Sequence, residues 1–129
     1  MVLLVVMLNA CSLNSPSSGS QTIIGLALIE NIEILILESF PVQVHIRVNG
    51  ILGDSCTTLH QITQTRVEDT FTITITTARP AEAICADIIT RFEESIALDV
   101  YGLPAGTYIV DVNGVRDTFT LSVDNVLQE

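Results

Sequence analysis

Apolar and polar residues change places at every step of "PVQVHIRVNG", where Val42, Val44, Ile46 and Val48 alternate with Gln43, His45, Arg47 and Asn49. A period of two sends successive side chains to opposite faces of an extended strand, so this segment is expected to bury one face and wet the other. The pattern returns in "TFTITITT" with Phe71, Ile73 and Ile75, in "SIALDV" with Ile96, Leu98 and Val100, and in "TYIVDV" with Tyr108, Val110 and Val112. It returns again in "DTFTLSV" with Phe119, Leu121 and Val123. "NIEILIL" is more continuously apolar and "TLHQITQTRV" less so, the latter suiting a solvent-facing or edge position. Asn49-Gly50 and Asn113-Gly114 read as hairpin turns, because both residue types tolerate the left-handed conformation that tight turns require. A short helical turn is expected around "PAEAICADI", since Pro80 suits a first turn and alanine favours helix. About seven strands separated by turn chemistry predict an all-β, two-sheet antiparallel sandwich.

The amino terminus reads differently. Its strongly apolar run, Met1 to Leu8, is far shorter than the ~20 residues that span hydrocarbon, but it suits the apolar segment of an export signal. Leu8-Asn9-Ala10-Cys11 resembles the lipobox of bacterial lipoproteins. That resemblance implies cleavage before Cys11, diacylation of its thiol, and anchoring to a bacterial membrane with the domain outside the cytoplasm. The following "SLNSPSSGSQT" has the composition of a flexible tether. The expected division is therefore a signal peptide over 1–10, a lipidated cysteine and tether over 11–29, and the sandwich over 30–129.

Three cysteines are an odd number for an exported chain, and assigning Cys11 to lipid leaves Cys56 and Cys85 to form a disulfide. The competing reading is zinc held by Cys56, His60 and Cys85, for which no fourth Cys or His is obvious except His45. Oxidation of paired thiols outside the cytoplasm favours the disulfide, and no metal or cofactor is expected.

"YGLPAGTYIVDVNG" resembles the region of fibronectin type III and immunoglobulin-like domains where a tyrosine hydroxyl bonds backbone a few residues upstream. By that resemblance Tyr108 is a structural corner reaching back toward Leu103 to Ala105. More broadly, residues 32–124 resemble the immunoglobulin-like domains carried by bacterial lipoproteins, which makes the expected fold an immunoglobulin-like sandwich.

Charge narrows the partners. There are 15 acidic residues against 5 basic ones, every one an arginine, for a net charge of -10. Such a surface repels phosphate backbones, so nucleic acid is excluded as a partner. No Gly-x-Ser-x-Gly elbow is present, and His45 and His60 each fall on the polar side of a predicted strand. The acidic turns at Asp54, Glu68-Asp69 and Asp111 lack the ligand spacing of a dedicated calcium loop. The sequence thus points to a noncatalytic, membrane-anchored module with an envelope or extracellular protein partner. Asp54, Glu68, Asp69, Arg79 and Glu82 are the candidate binding-loop residues. The alternative is an immunoglobulin-like protease inhibitor that inserts "TTARPAE", with Arg79-Pro80 at its tip.

Overall fold

The structure is a computed structural model that describes residues 21–127, so Cys11 and the expected signal peptide lie outside the described residues. It holds eight strands: β1 (Thr22–Leu26), β2 (Leu28–Leu37), β3 (Gln43–Leu52), β4 (Thr58–Val67), β5 (Thr70–Pro80), β6 (Thr90–Ala97), β7 (Gly106–Val112) and β8 (Val115–Leu121). Two sheets form the sandwich. The smaller runs β2-β3-β6, all antiparallel. In the larger, β4 lies along one edge of β5, while the other edge is shared by β1 and β7, with β8 beyond β7.

The period-two segments do what their pattern demands. Val44, Ile46, Val48, Phe71, Ile73, Ile75, Val110 and Val112 are fully buried between the sheets. Phe71, Tyr108 and Phe119 form an aromatic cluster in this core, with the Tyr108 and Phe119 rings stacked at 5.5 Å. The Tyr108 hydroxyl donates to the Pro104 carbonyl at 2.6 Å, which satisfies its one polar atom.

The structure corrects the sequence reading at several points. An eighth strand, β1, occupies residues assigned to the tether, and β2 starts at Leu28, so the sandwich begins at Thr22 and not at residue 30. The β5–β7 pairing is parallel, whereas every other pairing among the described residues is antiparallel. Asn49-Gly50 is no turn: both residues sit inside β3, opposite Asn31 and Ile29. Glycine is required there for space, since a Cβ at position 50 would collide with the Phe92 ring and the Leu28 carbonyl. The "PAEAICADI" segment forms a turn and then irregular chain, with no helix. Val123, expected inside, is exposed because β8 ends at Leu121.

Two asparagines finish what the strands leave open. Asn113, in the left-handed conformation of the two-residue β7–β8 turn, fills the gap on β5 between the end of β7 and the end of β1. Its backbone N–H donates to Ile73, its Oδ1 accepts from the Ile75 N–H, and its Nδ2 donates to the Ala27 and Ile75 carbonyls. Asn125, almost wholly buried, bonds both backbone groups of Val42 and the Val100 carbonyl, tying the carboxy-terminal segment to the entry of β3.

Gly50→Ala is expected to lower unfolding stability by about 2–3 kcal/mol through overpacking against a ring and a fixed carbonyl. Gly53→Ala, where an added Cβ meets nothing within 4 Å, should stay within about 0.5 kcal/mol of the parent. Urea unfolding of the two variants makes the comparison.

Candidate functional site

The five candidate loop residues do not form one site. Val67 pairs Thr70 across the Glu68-Asp69 turn, which places that acidic pair at the starting end of β5. Asp54, Arg79 and Glu82 lie at the other end of the same eleven-residue strand, where Thr22 pairs Pro80. The sandwich therefore has an acidic-turn end and a disulfide end, about 35 Å apart at the rise of an antiparallel strand.

The disulfide end is the more densely built. Cys56 and Cys85 are joined, S–S 2.10 Å, with Cα atoms 5.6 Å apart. This bond closes a loop over a sequence separation of 29, for which chain entropy gives about 3–4 kcal/mol. Gly53-Asp54-Ser55 ends β3 in a turn that Asp54 organises: its Oδ1 accepts from the Cys56 N–H at 2.9 Å, the Thr57 N–H at 2.9 Å and the Thr57 hydroxyl at 2.8 Å. Its other oxygen stands 3.2 Å from Arg79 Nε, without the alignment of a hydrogen bond. The Thr57 hydroxyl foremost, with the Cys56 amide and the Arg79 charge, holds the Asp54 carboxyl below its ordinary value. Arg79 also reaches Cys85 Sγ through Nη2 at 3.0 Å. It is thus a half-buried strand residue clamped between a carboxylate and a disulfide, and "TTARPAE" is not a protruding inhibitory loop: Arg79 and Pro80 close β5.

Metal chemistry finds no assembled ligand set here. Among the described residues, the acidic and sulfur groups close enough to share an ion are Asp54, Cys56 and Cys85, and the two sulfurs are bonded to each other. His60 stands on β4 with Nδ1 3.3 Å from the Thr76 hydroxyl, while His45 lies on β3 in the opposite sheet. His60 and His45, the third and fourth ligands of the competing zinc reading, do not converge. His45 borders a separate concavity of about 340 Å³ lined also by Pro41, Leu98, Asp99 and Tyr101, toward the acidic-turn end.

What sequence reasoning missed at the disulfide end is the chain beyond Pro80. Between β5 and β6, Ala86 is pinned to Ser55 by two hydrogen bonds, of 3.0 and 2.9 Å, and the segment leaves Ile84, Ile88 and Ile89 facing solvent. The signal was present as an apolar "AICADII" without alternation, with Cys85 inside it.

The ORF11 beta-sandwich domain model matches residues 46–121, from within β3 to the end of β8. An uncharacterized 10.2 kDa protein in the HgiCIIM 5' region of Herpetosiphon aurantiacus is 36% identical over 94 residues, which cover 73% of this chain and 99% of the relative. A second 10.2 kDa protein of that organism, in the HgiBIM 5' region, is 37% identical over 83 residues, covering 64% of this chain and all of the relative. No solved structure gives a significant match.

Asp54 carries a testable pH signature. Its folded pKa is lowered, so the stability it contributes is fully present above 3.8 and is lost as the pH falls below that value through the folded pKa. Against Asp54→Asn in non-reducing urea, the parent is expected to be more stable at neutral pH, with the gap closing below pH 3.8.

Proposed function

This chain belongs to the ORF11 beta-sandwich domain family, and we propose that it is a noncatalytic surface lipoprotein, held to a bacterial membrane through Cys11. The observation that carries the reading is the Cys56–Cys85 bond. It uses two of the three cysteines in the chemistry of an oxidising compartment and leaves Cys11 alone, behind an apolar run and the lipobox-like Leu8-Asn9-Ala10. The Ser-rich stretch from residue 12 supplies the spacer between anchor and domain.

In this reading the sandwich is an interaction or accessory module of the envelope, and its partner is an envelope or extracellular protein. The spacer joins β1 at Thr22, at the disulfide end, so the Glu68-Asp69 turn stands at the end of β5 farthest from the anchor. That turn carries two exposed carboxylates on a paired hairpin, with Arg66 donating to the Glu68 carbonyl. An exposed, acidic tip suits recognition of a basic patch on a protein partner.

Replacing Cys11 with alanine is expected to move the protein from the membrane fraction to the soluble one and to remove the lipid mass from the intact chain by mass spectrometry. A Cys11→Ala protein that stays with the membrane at unchanged mass overturns the anchor. For the module, a photo-cross-linking residue at Glu68 in intact cells should capture a discrete protein that the same residue at Glu33, on the outer face of the smaller sheet, does not.

A further inference from the structure

The disulfide end presents apolar side chains that the sandwich does not use. Ile84 is 100% exposed, Ile88 56% and Ile89 65%, all on the strandless chain between β5 and β6. This segment is held out and does not hang loose. It is bounded by Pro80 and Thr90, bridged at Cys85 to Cys56, and bonded at Ala86 to Ser55. Leu28, 61% exposed, starts β2 at the same end, opposite Ile51. A rigid loop spending its apolar residues on solvent marks a surface that another phase or molecule covers.

Where the amino-terminal chain enters decides what covers it. Gln21 accepts a hydrogen bond from the Ala81 N–H at 3.0 Å, so the chain coming from Cys11 arrives beside the first residue of this segment. Residues 12–21 are all that separates them, a contour of at most about 35 Å. A lipid on Cys11 therefore holds the isoleucines within reach of the bilayer surface, while the Glu68-Asp69 turn is a further strand length away.

We propose that the disulfide end of the sandwich seats on the lipid surface, with Ile84, Ile88 and Ile89 in the interfacial layer. The proposal rests on the Cys11 anchor put forward above. Its depth is limited by chemistry: irregular backbone cannot enter hydrocarbon, whereas apolar side chains settle at the headgroup boundary. Its lipid preference follows from the charges alongside. Asp54 is paired with Arg79 and Glu30 with Arg91, but Glu82 and Asp87 flank Ile84 and Ile88 with no ion pair among the described residues. Zwitterionic headgroups are therefore favoured over anionic ones.

The test couples the disulfide-intact chain beginning at Cys11 through the Cys11 thiol to maleimide-bearing lipid in phosphatidylcholine vesicles, which anchors it whether or not cells lipidate it. Amide hydrogen exchange is compared with that of the same chain blocked at Cys11 in solution. Exchange over 81–89 is expected to slow about tenfold on the vesicles, and Ile84→Glu with Ile88→Glu should abolish the slowing without altering exchange in the core strands. Phosphatidylserine vesicles should give weaker protection than phosphatidylcholine. Equal exchange in the two forms overturns the proposal, as does protection confined to the Glu68-Asp69 turn. Protection that appears only at high surface density overturns it too, because a second copy is then the occupant. The mass of the protein from cells reports on the anchor separately.

Discussion

Strand β5 has to be hydrogen-bonded along its whole length, and one of its edges is completed by two strands that run in opposite directions. β7 covers Thr70 to Ile73 in parallel, and β1 covers Thr76 to Pro80 antiparallel. Where one stops and the other starts, the Ala27 N–H reaches the Ile75 carbonyl at 2.9 Å, but the Ile75 N–H would be orphaned in the core of the sheet, at a cost of about 1–3 kcal/mol. The Asn113 side chain closes that gap as both acceptor and donor, because an amide mimics a peptide unit. Its left-handed backbone also makes the β7–β8 turn. Asparagine tolerates that conformation better than other non-glycine residues. The turn, the sheet splice and the link to Ala27 thus converge on one residue, and the placement of β1 depends on it.

The same splice creates the two unlike ends. With β1 laid on the far half of β5, the amino-terminal chain must enter beside Pro80. The chain after Pro80 must then cross from the larger sheet to β6 of the smaller one, and it does so without regular structure. A crossing of that kind is held by staples in place of a ladder: the Cys56–Cys85 bond, the Asp54 turn and the Ser55–Ala86 pair. The opposite crossing, from β6 to β7, is held by side-chain amides. Gln64 bonds Ala97 and Asp99, and Asn125 bonds Val100, so that end is wired from within.

Much of this was legible wherever a strand has one wet and one dry face. β5, β7, β3 as far as Val48 and β8 as far as Leu121 could be read face by face, because burial of one face is what writes a period of two into a sequence. β1 could not: all five of its residues are exposed, so nothing imposes alternation on "TIIGL". Asn49-Gly50 misleads for the converse reason. Its local preference is for a turn, but pairing of Gly50 with Phe92 across β3 and β6 makes that glycine a matter of space. The alanines after Pro80 favour helix locally, and the Cys85 bridge overrides them. Asp54, Glu68, Asp69 and Glu82 lie on turns and loops and Arg79 at a strand end, but their division between two ends depends on which strands are neighbours, and a linear sequence does not carry that. The parallel β5–β7 pairing belongs to the same category.

Charge constrains how such a module can hold to a surface. Four of the five arginines are engaged with carboxylates, and Arg47 is shared between Glu33 at 2.8 Å and Glu93 at 3.1 Å across three strands. These pairs are mostly exposed and individually weak, but among the described residues they leave Arg66 as the one arginine outside an ion pair to offer an anionic headgroup or polyanion. With a net charge of -10, long-range electrostatics pushes this protein away from cell-surface polyanions and does not draw it in. A protein of this composition that works at a membrane needs attachment by covalent lipid or apolar contact, neither of which depends on charge. The exposed isoleucines of the stapled loop are of the second kind, and the lipid proposed for Cys11 would be of the first; the described chain begins at Gln21, beside that same loop.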